Sequence, residues 1–345
     1  ARLKTYASPV AGTWGGGGAS IYSAMVEGGR LAHIGPRGIA VWDLASEARW
    51  TWTTPDLVGG ALTPDGTIGV AADEQGVIYV LDGRGALQRQ FRGPLQGVTC
   101  VAIFPDGRRA VTGSPGGRIA VWELATGRLV AERQVGPVSE IGVSRDGGAL
   151  FTFESASTQL QRKGAAWLLS SDLASAVRLE HGAGVLNAMF SPDGARLATL
   201  SLDGTARVWR RAGTHEATLP HAGSVATAAW SSDSSWLATG TWGGTLTIWD
   251  RATWRARATI EAHGNFVNAL AIDDRGGLIA SVGGDQVVKV WDVATFLQVG
   301  RIPTGMAAAH LAFEPGQLLV TGPLATQSWR CERYGDSPRR SLRSD

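Results

Sequence analysis

The sequence predicts an all-β protein made by repeating one small antiparallel unit along its length. The first observation is the stretch 181–210, HGAGVLNAMFSPDGARLATLSLDGTARVWR, which divides into the strand-like runs Val185–Phe190, Arg196–Ser201 and Thr205–Trp209. Ser-Pro-Asp-Gly separates the first two: proline presets φ, aspartate bonds its own backbone, and glycine accepts a positive φ. Asp203-Gly204 separates the next two and has the form of a primed hairpin turn. The second observation is recurrence. With Trp209 as anchor, equivalents fall at Trp42, Leu81, Trp122, Trp167, Trp249, Trp291 and Trp329, spaced by 39, 41, 45, 42, 40, 42 and 38 residues. The third is that the turn returns as Thr63-Pro64-Asp65-Gly66, Phe104-Pro105-Asp106-Gly107 and Ser144-Arg145-Asp146-Gly147. A sheet this small cannot cover its own faces, so successive copies must pack on one another.

Most anchors precede an acidic residue, as in Trp42-Asp43, Leu81-Asp82, Trp122-Glu123, Trp249-Asp250 and Trp291-Asp292. On these residues the chain resembles the WD40-repeat β-propeller family, and the resemblance covers nearly all of its 345 residues. It implies a closed ring of four-stranded blades that acts as a non-catalytic interaction scaffold.

In chain order, Leu3–Ser8 is a strand-like piece without a hairpin partner, followed by the glycine loop Gly15–Gly18 and the first unit, ending at Trp42. A fourth strand follows each of seven anchors: Arg49–Thr54, Leu87–Arg92, Arg128–Gln134, Ser175–Glu180, Thr214–Leu219, Arg255–Glu261 and Leu297–Ile302. The eighth unit, Gly305–Arg330, lacks one, and Leu3–Ser8 is expected to supply it. That pairing would cover the open edge of the last blade and tie the chain ends together, a closure the family is known for. The expectation is one propeller over 1–330 with eight blades (seven if a degenerate unit is something else), then a polar, basic tail over 331–345. The unit 138–169 is the weakest: Thr152 precedes Trp167 by fifteen residues, where Thr199 precedes Trp209 by ten. The five extra residues fall in Ser155–Lys163, a surface insertion or recognition loop that contains Gln159.

Composition narrows the function. A formal charge of +2 implies neither a nucleic acid nor an anionic membrane as partner. Two cysteines, Cys100 and Cys331, make no disulfide framework, which fits a reducing, cytoplasmic setting. No run of eighteen apolar residues occurs, and the opening ARLKTYASPV has no signal-peptide core. The first residue is not methionine, so a segment of a longer protein is expected. A monomer is the default oligomeric state.

His181, Thr199, Asp203 and Trp209 match a hydrogen-bonded tetrad of the family, and His263, Ser281, Asp285 and Trp291 repeat it 82 residues later. The resemblance implies a relay from carboxylate to imidazole to hydroxyl to indole. The set resembles a hydrolase triad in composition, but its hydroxyl is committed to an indole and no Gly-x-Ser-x-Gly elbow is present. A third set has His221, Thr239 and Trp249 but Gly243 in place of the aspartate, which predicts a looser blade. No phosphate-binding loop, His-Glu-x-x-His, paired Cys-x-x-Cys or calcium loop occurs, so neither a cofactor nor a metal is expected. Cys100, Glu140, Asn187, Asn268 and His310 read as matching positions on innermost strands, lining a wet central channel.

Of fourteen tryptophans, seven are read as anchors and Trp230 as core. Trp50 and Trp52 share one face of an outer strand and are expected to pack on the next blade. Trp14 and Trp242 fall in loops that, in this family, open on one rim, and Phe266 belongs to the same rim. These observations predict a protein or peptide partner bound across that rim, with Trp14, Trp242, Phe266, Asn268, Asn187, Glu140 and Gln159 as contact residues. The competing readings are a quinoprotein-like or lactonase-like propeller enzyme, and a regulatory domain of a larger kinase, protease or NTPase. The former lacks its docking motif and acidic metal set here.

Overall fold

The computed structural model describes residues 2–7, 12–14, 18–20, 23–27, 30–35, 37–46, 48–54, 56–93, 97–154, 164–273, 275–306, 308, 310–314, 317–322 and 325–330. Gln159 with the rest of 155–163, and the tail 331–345, lie outside them. The described strands form eight four-stranded antiparallel sheets, arranged as an eight-bladed propeller.

Blade 1 comprises Ser23–Glu27, Arg30–Gly35, Gly38–Asp43 and Arg49–Thr53; blade 2 comprises Leu57–Leu62, Ile68–Asp73, Val77–Asp82 and Leu87–Arg92. Blade 3 comprises Cys100–Ile103, Arg109–Gly113, Arg118–Glu123 and Arg128–Gln134; blade 4 comprises Glu140–Val143, Ala149–Phe153, Ala165–Ser170 and Ala176–Glu180. Blade 5 comprises Val185–Phe190, Arg196–Ser201, Thr205–Arg210 and His215–Pro220; blade 6 comprises Val225–Trp230, Trp236–Thr241, Thr245–Asp250 and Ala256–Glu261. Blade 7 comprises Val267–Ile272, Leu278–Gly283, Val287–Asp292 and Gln298–Pro303. Blade 8 takes His310–Glu314, Gln317–Thr321 and Ala325–Arg330 from the C-terminal side and Arg2–Ala7 from the N-terminus. In each blade the strands are called first to fourth, from the channel outward.

Closure follows the expected scheme, one residue earlier than Leu3–Ser8. Ala7 lies opposite Ala325, Tyr6 opposite Thr326 and Arg2 opposite Trp329. Blade 8 also meets blade 1 through side chains: His33 Nε2 and Thr326 Oγ1 lie 2.8 Å apart, both fully buried. His33 takes the place in blade 1 that Thr199 holds in blade 5, two residues beyond the partner of the anchor tryptophan.

The core lies between blades. Leu200, Val208 and Leu219 of blade 5 pack on Val225, Trp230 and Leu237 of blade 6, and this pattern of apolar second and third strands continues round the ring. Each such aliphatic side chain contributes roughly 1.5–3 kcal/mol on burial. Fourth strands are half solvated, as the alternation along Arg128–Gln134 shows. Trp50 and Trp52 pack on blade 2, with Trp52 4.8 Å from the Tyr79 ring. The turns joining first to second strands are held by a repeated device. The Ser191 hydroxyl donates to Asp193 Oδ1 at 2.5 Å, the same oxygen accepts the Ala195 N–H at 3.0 Å, and Gly194 takes φ +66°. Thr63–Asp65, Ser144–Asp146 and Ser231–Asp233 repeat the bond.

Three sequence expectations change. In blade 4, Leu150 pairs with Leu169 and Thr152 with Trp167, whereas in blade 5 Leu197 pairs with Trp209 and Thr199 with Arg207. Leu169 is therefore the anchor of blade 4, Trp167 stands in the position of Arg207, and the insertion is seven residues, not five. Asn268 is not equivalent to Asn187. Both first strands carry a bulge, between Val185 and Asn187 and between Val267 and Ala269, and Asn268 is the bulged residue. Ala269 is the true equivalent of Asn187. Finally, Trp14 ends a short strand, Gly12–Trp14, that pairs with Gly18–Ser20 in a separate hairpin, so it is not on a bare loop.

Candidate functional site

Antiparallel pairing sorts the connections onto two faces. Turns joining second to third strands, and the links from one blade to the next, open on one face, here the upper. Turns joining first to second and third to fourth strands open on the lower. The tetrads stand at the upper end of blades 5 and 7. Trp209 Nε1 donates to Thr199 Oγ1 at 2.8 Å, and that hydroxyl lies 2.7 Å from His181 Nε2. His181 Nδ1 is 3.2 Å from Asp203 Oδ2. In blade 7 Trp291 donates to Ser281 at 2.9 Å, Ser281 meets His263 Nε2 at 2.9 Å, and His263 Nδ1 meets Asp285 at 2.9 Å. One direction satisfies every member: indole to hydroxyl, hydroxyl to imidazole Nε2, and Nδ1–H to carboxylate.

Burial pulls the His181 imidazole down to about 4 against the opposing pull of Asp203, so it is neutral in the fold. His263 is lowered by the same burial, with Asp285 acting the other way. Burial works to raise both aspartates, but hydrogen bonds and the facing histidines win and hold Asp203 and Asp285 below the usual carboxylate range. A hydroxyl fixed between an indole donor and a fully buried ring has no approach for a substrate carbonyl, so this geometry serves structure.

Blade 6 solves the loss of the aspartate differently. His221 Nε2 meets Thr239 Oγ1 at 2.7 Å and Trp249 donates to the same oxygen at 2.8 Å. The free end of the ring, Nδ1, turns to the Leu219 carbonyl at 3.0 Å, so Gly243 leaves no nitrogen stranded. Blade 3 keeps only the inner pair, Trp122 to Thr112 at 2.9 Å.

The upper face of blades 6 and 7 exposes two large aromatics, Trp242 at 48% and Phe266 at 41%. Trp242 stands in the turn Thr241–Thr245, where Gly244 takes φ +86° and a side chain would run into the His263 and Asn265 carbonyls. That contact joins the Trp242 turn to the segment carrying Phe266. The Phe266 ring covers Gly284 of its own blade. Asn268 is exposed beside it and donates to the Ala308 carbonyl of blade 8 at 3.3 Å.

At the mouth of the channel on this face, Cys100, Glu140, Asn187, Thr227, Ala269 and His310 occupy one level, since their partners Gly113, Phe153, Leu200, Gly240, Val282 and Thr321 are equivalent. Glu140 opens on the channel but is walled by protein, and burial raises its carboxyl. Burial pushes the Cys100 thiol up to about 12, and Glu140 adds to this, so it is no nucleophile. Among the described residues no group of three His, Cys, Asp or Glu could hold a metal ion. Trp14 falls in a strand whose side chains are not described, and Gln159 lies outside the described residues.

The sequence reading missed three groups that now carry weight: His33 at the blade 1–blade 8 seam, the Leu219 carbonyl that replaces an aspartate, and a lower-face cluster around Glu216. Only the first had a readable signal, its register with Thr199.

The family model described as WD domain, G-beta repeat matches residues 85–123, 175–210, 213–250 and 254–292. Protein groucho of Drosophila melanogaster is 31% identical over 114 residues, covering 31% of this chain and 15% of that protein. Angio-associated migratory cell protein of Homo sapiens is 27% identical over 120 residues, covering 33% of this chain and 28% of that protein. The matched region is thus a small part of either relative. The computationally designed Ika8 protein shares the fold at a TM-score of 0.72 and 18% identity, over 90% of this chain and 96% of that one. No described helix is long and apolar enough to cross a membrane. The chain thus carries WD40 repeats at four positions within an eight-bladed β-propeller that its N-terminal strand closes.

Proposed function

We propose that the protein is a non-catalytic scaffold or sensor module that binds a protein or peptide on its upper face. The observation that carries this reading is the pair of exposed aromatics, Trp242 and Phe266, on adjoining blades whose nearby histidines and hydroxyls, His221 with Thr239 and His263 with Ser281, are bonded to each other. Large apolar groups left on a surface mark interfaces, and aromatic anchors carry most of the energy where they occur. Asn268 beside Phe266, and Glu140 and Asn187 at the channel mouth, supply polar contacts along a path from rim to channel. Trp14 and Gln159 are further candidates, on the hairpin and the blade 4 insertion. A cytoplasmic, reducing setting and signalling by a monomer belong to the same reading; Cys100, the free cysteine among the described residues, is buried.

The test uses a partner captured by the wild-type protein. Trp242→Ala or Phe266→Ala should weaken its binding by about 2 kcal/mol, roughly thirtyfold, with the melting temperature unchanged. Normal binding by both variants would place the interface elsewhere.

A further inference from the structure

The lower face of blades 5 and 6 carries two adjoining clefts of about 420 and 490 Å³ that share Arg196 and Arg210. Glu216 grips both arginines. Arg196 Nε donates to Oε1 at 2.9 Å, and Arg210 Nε lies 3.2 Å from Oε2. Arg196, mostly buried, is held through Nε, whereas the ion-paired Arg210 is largely exposed to the groove. Arg211 and Arg251 stand at the two ends, pinned by Asp146 and Asp193 at 2.5 and 3.0 Å. Four arginines, Asp193 and Glu216 line the clefts and Asp146 pairs with Arg211 beside them, so the cluster carries one surplus positive charge.

A second observation marks the same place. Trp254 lines the larger cleft and donates its indole N–H to Glu216 Oε1 at 3.1 Å. Its backbone sits at φ +53°, in the turn position where blade 3 has Gly127 at φ +73° and blade 7 has Phe296 at φ +58°. The indole also packs edge-on against Trp230 at 6.1 Å, which fixes the N–H toward Glu216. Trp254 thus orients a carboxylate that in turn sets the spacing of two guanidinium forks.

We propose that this groove binds an extended peptide carrying a phosphomonoester side chain. A planar guanidinium edge matches phosphate oxygens in bidentate fashion, and the surplus charge beside the exposed Arg210 favours an anionic side chain. The open, elongated shape running from Ala212 to Ala252 suits a chain better than an enclosed small molecule. The site is on the opposite face from Trp242, so it is independent of the upper-face reading.

The probe is a pool of short degenerate fluorescent peptides with a fixed phosphoserine, compared with matched serine and glutamate pools by fluorescence polarisation on the full chain. The phosphoserine pool should bind about tenfold tighter than either control, the scale of one charged hydrogen-bonded contact. Arg210→Gln should lose that margin without lowering the melting temperature. Trp254→Phe, which keeps the ring and removes the N–H, should weaken binding as well, whereas Trp242→Ala should bind as wild type. Equal binding of the glutamate pool would reduce the groove to a general cationic surface and overturn the proposal. So would an unaffected Arg210→Gln, or binding to phosphatidylserine vesicles without binding to the phosphoserine pool.

Discussion

Acidification from pH 7 to 4 should unfold this propeller in a window set by its histidines. His33, His181 and His221 are all drawn by burial from 6.5 to about 4. The unfolded chain takes up protons on these rings as pH falls through 6.5, while the fold refuses them until about 4. Stability is therefore complete above 6.5 and declines as pH falls between those values. Each ring accounts for about 3 kcal/mol, from 1.36 kcal/mol per pH unit per proton. Three together approach the whole stability of an ordinary domain, about 5–15 kcal/mol. The carboxylates follow later: Arg211 holds Asp146 down to about 2, so its share is lost only in stronger acid. Urea unfolding followed by circular dichroism, repeated across this pH range, should give a slope near 4 kcal/mol per pH unit around pH 5. His33→Gln keeps a hydrogen-bonding group for Thr326 and removes one proton, so the slope should flatten by about 1.4 kcal/mol per unit. An unfolding free energy that stays level between pH 6.5 and 4.5, or an unaltered slope in His33→Gln, would refute buried neutral histidines.

Two further outcomes concern stability. Asp203→Ala and Asp285→Ala should each lower it by about 1–3 kcal/mol, because an imidazole N–H loses its acceptor; a melting temperature equal to wild type in both would remove the tetrads from the list of stabilising features. Deleting residues 1–8 strips the outer strand from blade 8, at about 1 kcal/mol for each backbone hydrogen bond lost. An unchanged melting temperature in that truncation would show that the strand does not close the ring in solution.

Repetition made most of the fold legible. The turns Ser191–Gly194 and Asp203-Gly204 and the fourth strands could be read because each recurs with its own physical reason, and the N-terminal closure followed from the one unit that lacked a fourth strand. Failures came where a local irregularity broke the period. The blade 4 insertion hid the register, and tryptophan drew the anchor to Trp167 although Leu169 has the equivalent pairing. The bulge before Ala269 moved Asn268 off the channel level, and a bulge leaves no residue signature in a strand of small and apolar residues. The Glu216 cluster joins two blades through Arg196, Arg210 and Trp254, which lie up to 58 residues apart in sequence. No repeated pattern marks it, since Trp254 and Phe296 both stand where blade 3 has Gly127.

The turn at Gly243 has a consequence beyond its own blade. In blades 5 and 7 the aspartate of the same turn is moored to a buried histidine, and the residue before it, Leu202 or Gly284, is less exposed than Trp242. Blade 6 casts off that mooring, because His221 finds a backbone carbonyl instead. A turn released from holding the ring upright can change its residues without loosening the blade. The neighbours on either side act as buttresses, and the blade between them becomes the place where surface chemistry is free to vary. The upper turn of blade 6 can therefore take new side chains at no cost to the His221–Thr239–Trp249 bonds beneath it.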